Sequence, residues 1–498
     1  MKKEARDEAS LLVIEEILTR LNYLVDVGLG YLTLGRQSRT LSGGEVQRVN
    51  LTTALGTNLV DTLFVLDEPS VGLHPRDMDR VNSIMRRLKN AGNTLVVVEH
   101  DPQVMLSADR IIDMGPGSGA AGGSIVYDGP AQNIRSTQTL TGLYLSGRLC
   151  VDSPIGHVRP EQFHHWLTLK GASEHNLKHV DFRIPAAAMT AVTGVSGSGK
   201  STLVGDVLVP ALERKFSRPA TPGAFDSIEG WQHFSDVVYV DQSPIGKSSR
   251  SNPVLYVGAF TRIRELFAAT AAAAERGYNA GTFSFNSGTG RCPTCLGAGF
   301  ERVEMQFLSD VLLECPDCGG RRYRPETLEI TINFAGRGEK NIADVLDMTV
   351  NEAMSYFQGD AVIISRLRPL AEVGLGYVLL GQSVSTLSGG EAQRLKLAEI
   401  LAERDPRRAG FGKLYVFDEP TTGLHFDDVE KLLRALRRLV SRGNTVLVVE
   451  HNLDIISASD WIVDLGPEGG DEGGEIVAVG TPQQLAQEQK TYTGKALA

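Results

Sequence analysis

Gly194-Val195-Ser196-Gly197-Ser198-Gly199-Lys200-Ser201 fits G-x-x-x-x-G-K-[ST] directly after the apolar, strand-like run 189–193. Glycines at these places let successive backbone N–H groups turn inward around phosphate oxygens, and the following helix N-terminus adds its positive dipole. In that arrangement Gly194, Gly197 and Gly199 form the cradle and Lys200 reaches the terminal phosphates, while Ser201, with Thr202 behind it, offers a hydroxyl to Mg²⁺. A Gly/Ser-rich turn that happens to match is the competing explanation for this segment alone. The acidic strand ends elsewhere weigh against it. Asp418 and Glu419 close a hydrophobic run, which sets one carboxylate to hold Mg²⁺ through water and the next to act as general base on an attacking water. His451 follows the next apolar run, in reach of a terminal phosphate, and Gln242 follows the strand-like run 237–239, as suits a residue that senses Mg²⁺ and water. A lone His in such a run reads as a packed core histidine. The pair Glu450-His451 repeats Glu99-His100, and that repetition points to function.

A second set of ligating residues is Cys292, Cys295, Cys315 and Cys318, two C-x-x-C knuckles with nineteen residues between them. This spacing fits a tetrahedral Cys₄ zinc site, a structural one because four thiolates leave no coordination position open. A redox dithiol is the alternative, but it needs only one such pair. Cys150 stands alone as an ordinary thiol.

These groups need elements to hold them, and the elements occur twice. GLGYLTLGRQSRTLSGGEVQR from Gly28 returns 346 residues later as GLGYVLLGQSVSTLSGGEAQR. FVLDEPSVGLHPRD, with Asp67 and Glu68, returns 351 residues later as YVFDEPTTGLHFDD, and GNTLVVVEH ending at His100 returns as GNTVLVVEH. The drift of five residues falls in AERDPRRAGFGK, which reads as a loop insertion in a duplicated domain. The runs 63–66, 94–98, 414–417 and 445–449 are short and nearly all apolar, as strands buried in a parallel sheet are. The segments 45–55, 391–401 and 431–439 have helical spacing, so the expected class is α/β, doubly wound. The repeated Leu-Ser-Gly-Gly turn (Ser42, Gly43, Gly44 and Ser388, Gly389, Gly390) opens a helix and presents a hydroxyl, N–H groups and a dipole to an anion. Two glycine-preceded helix caps would explain one copy, but poorly explain two in the same order.

With 498 residues the chain is long enough for several domains. Fifty Lys and Arg against sixty Asp and Glu give a net charge of −10, so any contact with nucleic acid must come from a local basic patch. One such patch surrounds the cysteines, where ten basic residues between Lys247 and Arg324 stand against seven acidic ones. The run Arg321-Arg322-Tyr323-Arg324 sets an aromatic among cations, suited to phosphate contact and stacking, or else to a solvated face. No uncharged apolar run approaches a membrane span, the N-terminal apolar stretch carries acidic residues unlike a signal peptide, and the cysteine pattern suits a reducing cytosol. A cytoplasmic protein is expected.

Together the phosphate loop, the doubled signature and the acidic strand ends resemble the ATP-binding-cassette ATPases, P-loop NTPases. Most cassettes carry an S-A-L-D-like segment after the acid pair; here both copies read Gly72-Leu73-His74 and Gly423-Leu424-His425. That departure, the four-cysteine insert and VDQSPIGKSSRSNP from Val240 make the chain similar to the UvrA family of damage-recognition ATPases, over nearly its whole length. The resemblance implies an incomplete first cassette (1–146), a linker (147–160), the P-loop lobe of a second cassette (161–242), an inserted zinc, DNA-binding and signature region (243–385) and the second cassette's remainder (386–498). It implies ATP, Mg²⁺ and Zn²⁺, with one composite site of Lys200, Ser201, Gln242, Asp418, Glu419 and His451 opposite Ser42, Gly43 and Gly44. It implies damaged double-stranded DNA as partner, with Lys247, Arg250, Arg291, Arg321, Arg322 and Arg324 as contacts, and a homodimer. A P-loop for the site at Asp67, Glu68 and His100 is missing, and a UvrB-like partner is left without its usual docking region. The expected function is ATP hydrolysis coupled to damage recognition in nucleotide excision repair. The rivals are a UvrA-like drug-resistance ATPase and a truncated half that is inactive without a companion chain.

Overall fold

The computed structural model describes residues 8–38, 41, 43–56, 59–117, 119, 122–152, 156–241, 250–303, 311–402 and 412–498. The chain forms two compact units, one of 1–116, 124–241 and 407–498, the other of 117–123 and 242–406. Of the residues singled out above, Ser42, Gln242 and Lys247 lie outside those described.

In the first unit the chain opens with helix Glu8–Asp26 and the signature helix Gly43–Gly56, then strand β1 (Leu63–Asp67). Helix Pro75–Asn90 follows; His74 caps it, Pro75 suits its first turn, and its buried Met78, Val81, Met85 and Leu88 recur at three- and four-residue steps. β2 (Thr94–Val98) pairs in parallel with β1, while β3 (Arg110–Gly115) and β4 (Ser124–Pro130) form an antiparallel pair. β5 (Trp166–Ala172), β6 (Val180–Pro185) and β8 (Ser227–Glu229) make a three-stranded antiparallel sheet. Between them β7 (Met189–Gly194) runs into the phosphate loop, a π-helical stretch Thr202–Leu208 and helix Val209–Lys215; β9 (Val237–Val240) comes later.

The second unit holds the cysteines. β10 (Phe300–Val303) and β11 (Val311–Glu314) pair antiparallel between the two knuckles, and β12 (Thr331–Asn333) pairs with β13 (Glu339–Asn341). Phe260, Phe267, Phe283, Phe285, Tyr323 and Phe357 are fully buried here. Helix Ala361–Glu372 precedes the second signature helix, Gly389–Ala402.

The chain then returns to the first unit as β14 (Leu414–Asp418), helix Phe426–Ser441, β15 (Thr445–Val449), β16 (Trp461–Gly466) and β17 (Glu475–Gly480). Six strands line up as β17-β16-β7-β15-β14-β9, all parallel except β17. The buried Arg437 makes a two-oxygen ion pair with Asp460, whose carboxylate also accepts from the Met189 N–H and so fixes where β7 begins. Among the described residues no helix is long and apolar enough to cross a membrane.

One expectation fails. The apolar strands of the first copy are not buried: Val65 is 66% and Val96 49% exposed, whereas their counterparts Val416 and Leu447 are each 0%. The cause is pairing. β14 and β15 lie between β9 and β7, but among the described residues β1 and β2 pair only with each other.

Candidate functional site

The phosphate loop depends on its glycines. Gly194, Gly197 and Gly199 have φ of 135°, 77° and 102°, and a Cβ on Gly194 would sit 2.0 Å from the Leu465 carbonyl oxygen. The buried Lys200 Nζ donates to the Gly194 and Val195 carbonyls at 2.9 Å. Burial pulls Lys200 down to about 8, against the opposing pull of Glu419, Asp464 and Asp418. Asn176 Nδ2 donates to the Gly197 and Gly470 carbonyls, clamping the loop to the turn after β16.

Asp418 ends β14 and accepts from the Tyr239 phenol at 3.2 Å. Burial, then the neighbouring Glu419, raises its carboxyl to about 6. Glu419 sits at φ +47°, left-handed for a non-glycine, and its N–H donates to the Val449 carbonyl. Its carboxylate lies 3.6 Å from His451 Nε2; burial pushes Glu419 up, but His451, Lys200 and Arg48 outweigh this and hold it below the usual range. His451 is itself held down by burial and by Lys200, so the ring is neutral and Glu419 is the charged member. Glu450 fixes this histidine by accepting from the N–H groups of Thr421, His451 and Asn452.

Among the described residues the first copy repeats the acid and histidine part of this arrangement. Glu68 has φ +46°, lies 3.7 Å from His100, and Glu99 accepts from Ser70, His100 and Asp101. The two copies also reach each other. The Ser196 hydroxyl in the phosphate loop donates to the Gly72 carbonyl, and a Cβ on Gly72 would lie 3.2 Å from Glu419 Oε2. A Cβ on Gly423 would lie 2.8 Å from Glu68 Oε1. A cavity of about 480 Å³ between them is lined by Glu68, His100, Glu419 and His451. Tyr31 packs so tightly on the loop that a Cβ on Gly197 would come within 2.9 Å of its ring, and its hydroxyl donates to Glu45 of the signature helix.

Within the first unit Lys200, Asp418, Glu419 and His451 thus come together, with Gly43 and Gly44 opening the signature helix and Ser201 and Thr202 following the loop. In the second unit Ser388 and Glu391 cap the second signature helix reciprocally. Tyr31, Asn176, Tyr239 and Arg48 join the site without being candidates from the sequence, and His74, known there only as part of the Gly-Leu-His segment, joins it too. Tyr31 had a signal, since GLGY precedes both signatures; Asn176 and Tyr239 had none, being single residues brought in by the fold.

The four cysteine sulfurs all lie within 4.8 Å of one another, with 292–315 at 3.9 Å and 295–318 at 3.7 Å. Zinc bonded to four thiolates at about 2.3 Å spaces its sulfurs about 3.8 Å apart, so the residues fit that metal. The Gly299 N–H donates to Cys295 Sγ, an outer contact that orients the thiolate. Around the knuckles the arginines divide. Arg321 pairs with Asp344 at 2.5 Å, and Arg322 lies over Phe285 and donates to the Gly381 carbonyl at 2.7 Å. Arg250 and Arg291 are half-buried and Arg324 is exposed.

No family model matches the chain. UvrABC system protein A of Thermus thermophilus is 54% identical over 95% of this chain and 49% of its own length, and that of Methanothermobacter thermautotrophicus 53% over 97% and 49%. The crystal structure of UvrA2 from Deinococcus radiodurans superposes with a TM-score of 0.90 at 46% identity, covering 99% of this chain and 59% of that one. The chain therefore spans about half the length of the curated relatives it matches.

Proposed function

This chain is a homologue of the UvrA family, with the P-loop fold of the cassette ATPases, and from that premise we propose that it binds and hydrolyses Mg²⁺–ATP where its two copies meet and couples turnover to recognition of damaged double-stranded DNA in nucleotide excision repair. The observation that carries the reading is the meeting of the phosphate loop, through Ser196, and of Glu419 with its partner His451 at the Gly72 segment of the other copy.

Each residue has one task. The loop N–H groups and Lys200 bind phosphate oxygens, and Ser201 and Asp418 hold the metal. Mg²⁺ held by these two residues would supply charge neutralisation at the phosphate oxygens. Glu419 is ionised and takes the proton of the attacking water, while neutral His451 orients it and contacts the terminal phosphate. Gly43 and Gly44 bring the signature helix N-terminus toward the same phosphate. Loss of that phosphate releases the contact between copies, the switching step that coupling to DNA requires. Cys292, Cys295, Cys315 and Cys318 would hold zinc, which would keep the knuckles rigid, and Arg250, Arg291 and Arg324, with Lys247, supply cations for the duplex backbone. Lesions differ chemically, so such a surface reads duplex shape and deformability.

The test is steady-state ATP hydrolysis by the purified chain with undamaged and lesion-bearing duplex. Turnover that rises or falls with the lesion, and drops by about 10²-fold or more in Lys200→Ala, is expected. Turnover that is absent, or the same with both duplexes, overturns the coupling.

A further inference from the structure

His74 and His425 occupy matching places, each capping the helix after its acid pair, and each reaches into the other copy. The Arg76 N–H donates to His74 Nδ1 at 3.2 Å, so Nδ1 carries the lone pair and Nε2 the proton. Nε2 lies 3.1 Å from Thr493 Oγ1, and the Thr493 hydroxyl donates to Asp464 at 2.9 Å. His74, Thr493 and Asp464 are all buried. The order of donation is therefore fixed: imidazole to hydroxyl to carboxylate. The mirror chain is complete too. The Asp427 N–H donates to His425 Nδ1, His425 Nε2 lies 3.2 Å from Thr141 Oγ1, and Thr141 donates to Asp113 at 2.9 Å.

Both ends of the first chain abut the site. The His74 ring stands edge-on to His451, centroids 6.2 Å apart, and Asp464 on β16 pairs in register with Thr193, next to Gly194 of the phosphate loop. Burial, reinforced by His451, Lys200 and Arg76, pulls His74 down to about 2, so this ring is a fixed neutral donor.

We propose that His74, Thr493 and Asp464 form a positioning relay in which the first copy holds His451 and Glu419 in register with the phosphate loop of the second. The part assigned to His74 is to position His451, its ring neighbour. This rests on the ATPase reading above. Two equal relays make the assignment testable, because only one adjoins the phosphate loop. Thr493→Val keeps the side-chain volume and removes the hydroxyl, and Asp464 retains Thr491 as a partner. Thr141→Val makes the same chemical change in the mirror relay.

ATP turnover and ATP affinity are measured in both variants and in Thr493→Ser. The expected result is a kcat lower by about tenfold in Thr493→Val with KM changed by less than about threefold, recovery in Thr493→Ser, and a kcat within about twofold of the parent in Thr141→Val. Equal loss in both valine variants, or none in Thr493→Val, overturns the proposal. A parent chain without turnover counts against the ATPase reading instead. The relay is then judged by ¹⁵N histidine spectra: a His74 Nε2–H tautomer whose Nε2–H proton resonance moves upfield in Thr493→Val, as its acceptor is removed, supports it, and an Nδ1–H tautomer in the parent or an unmoved resonance overturns it.

Discussion

Glu419 and Glu68 both hold a left-handed backbone that a non-glycine residue adopts at a cost of about 1–3 kcal/mol. Each is anchored by its N–H on the neighbouring strand, so the carboxylate is aimed before any ligand arrives. The flanking charges set a working pH. In the proposed roles Asp418, raised to about 6, would have to be ionised to hold Mg²⁺, and Lys200, lowered to about 8, would have to be protonated to hold phosphate. The profile of kcat/KM, which reports the free protein, is expected to fall below about pH 6 and above about pH 8, with the alkaline limb weaker in kcat because bound phosphate keeps Lys200 charged. A kcat/KM level from about pH 5 to 9 would contradict these roles. The same carboxyl affects folding. Raised above its ordinary 3.8, it contributes stability at low pH that is lost as pH rises through about 6, so metal-free protein should melt lower at pH 8 than at pH 5 from this group, and Mg²⁺ should restore part of the difference. The places of Lys200 and Glu419, at the end of a loop and of a strand, were legible in the sequence because their neighbours are dictated by the motif. Tyr239 and Asn176 were not, since a hydrogen bond from a distant strand leaves no local pattern.

Among the elements, the knuckles and the apolar strands behave differently from one another. Cys295→Ser removes one of four thiolates whose spacing suits zinc, and the expected outcome is loss of metal by elemental analysis with faster proteolysis in the 292–318 segment. Full metal retention would contradict the Cys₄ site. The strands invite a paired comparison. Val65→Thr, on a half-open strand, should change stability by less than about 0.5 kcal/mol, whereas Val416→Thr, fully buried, should cost roughly 1–3 kcal/mol in denaturant melts. Strand positions were readable in both copies because runs such as FVLD and YVFD are β-rich. Their burial was not readable, because it depends on which strands lie alongside, and among the described residues β1 pairs with β2 alone while β14 has a strand on each side. Arg321 and Arg322 give the same lesson. As a charge run they read as a surface, yet one is paired with Asp344 and the other packs over Phe285. Reversing Arg324 should therefore flatten the salt dependence of duplex binding, while reversing Arg322 should first lower the melting temperature.

Across the whole molecule the duplication is the organising fact. Each copy sends its Gly-Leu-His segment into the other, with Gly72 beside Glu419 and Gly423 beside Glu68. The repeat was visible as two offsets along the chain, but its mutual character was not, since sequence offsets carry no information about which copy faces which. Because Gly72 and Glu419 belong to one polypeptide, their meeting is an intramolecular event governed by an effective concentration set by the intervening chain. Dilution cannot separate them. Turnover per molecule at saturating ATP should accordingly stay constant as protein falls from micromolar to nanomolar, a behaviour closed to any ATPase that must first find a second subunit to complete the same site.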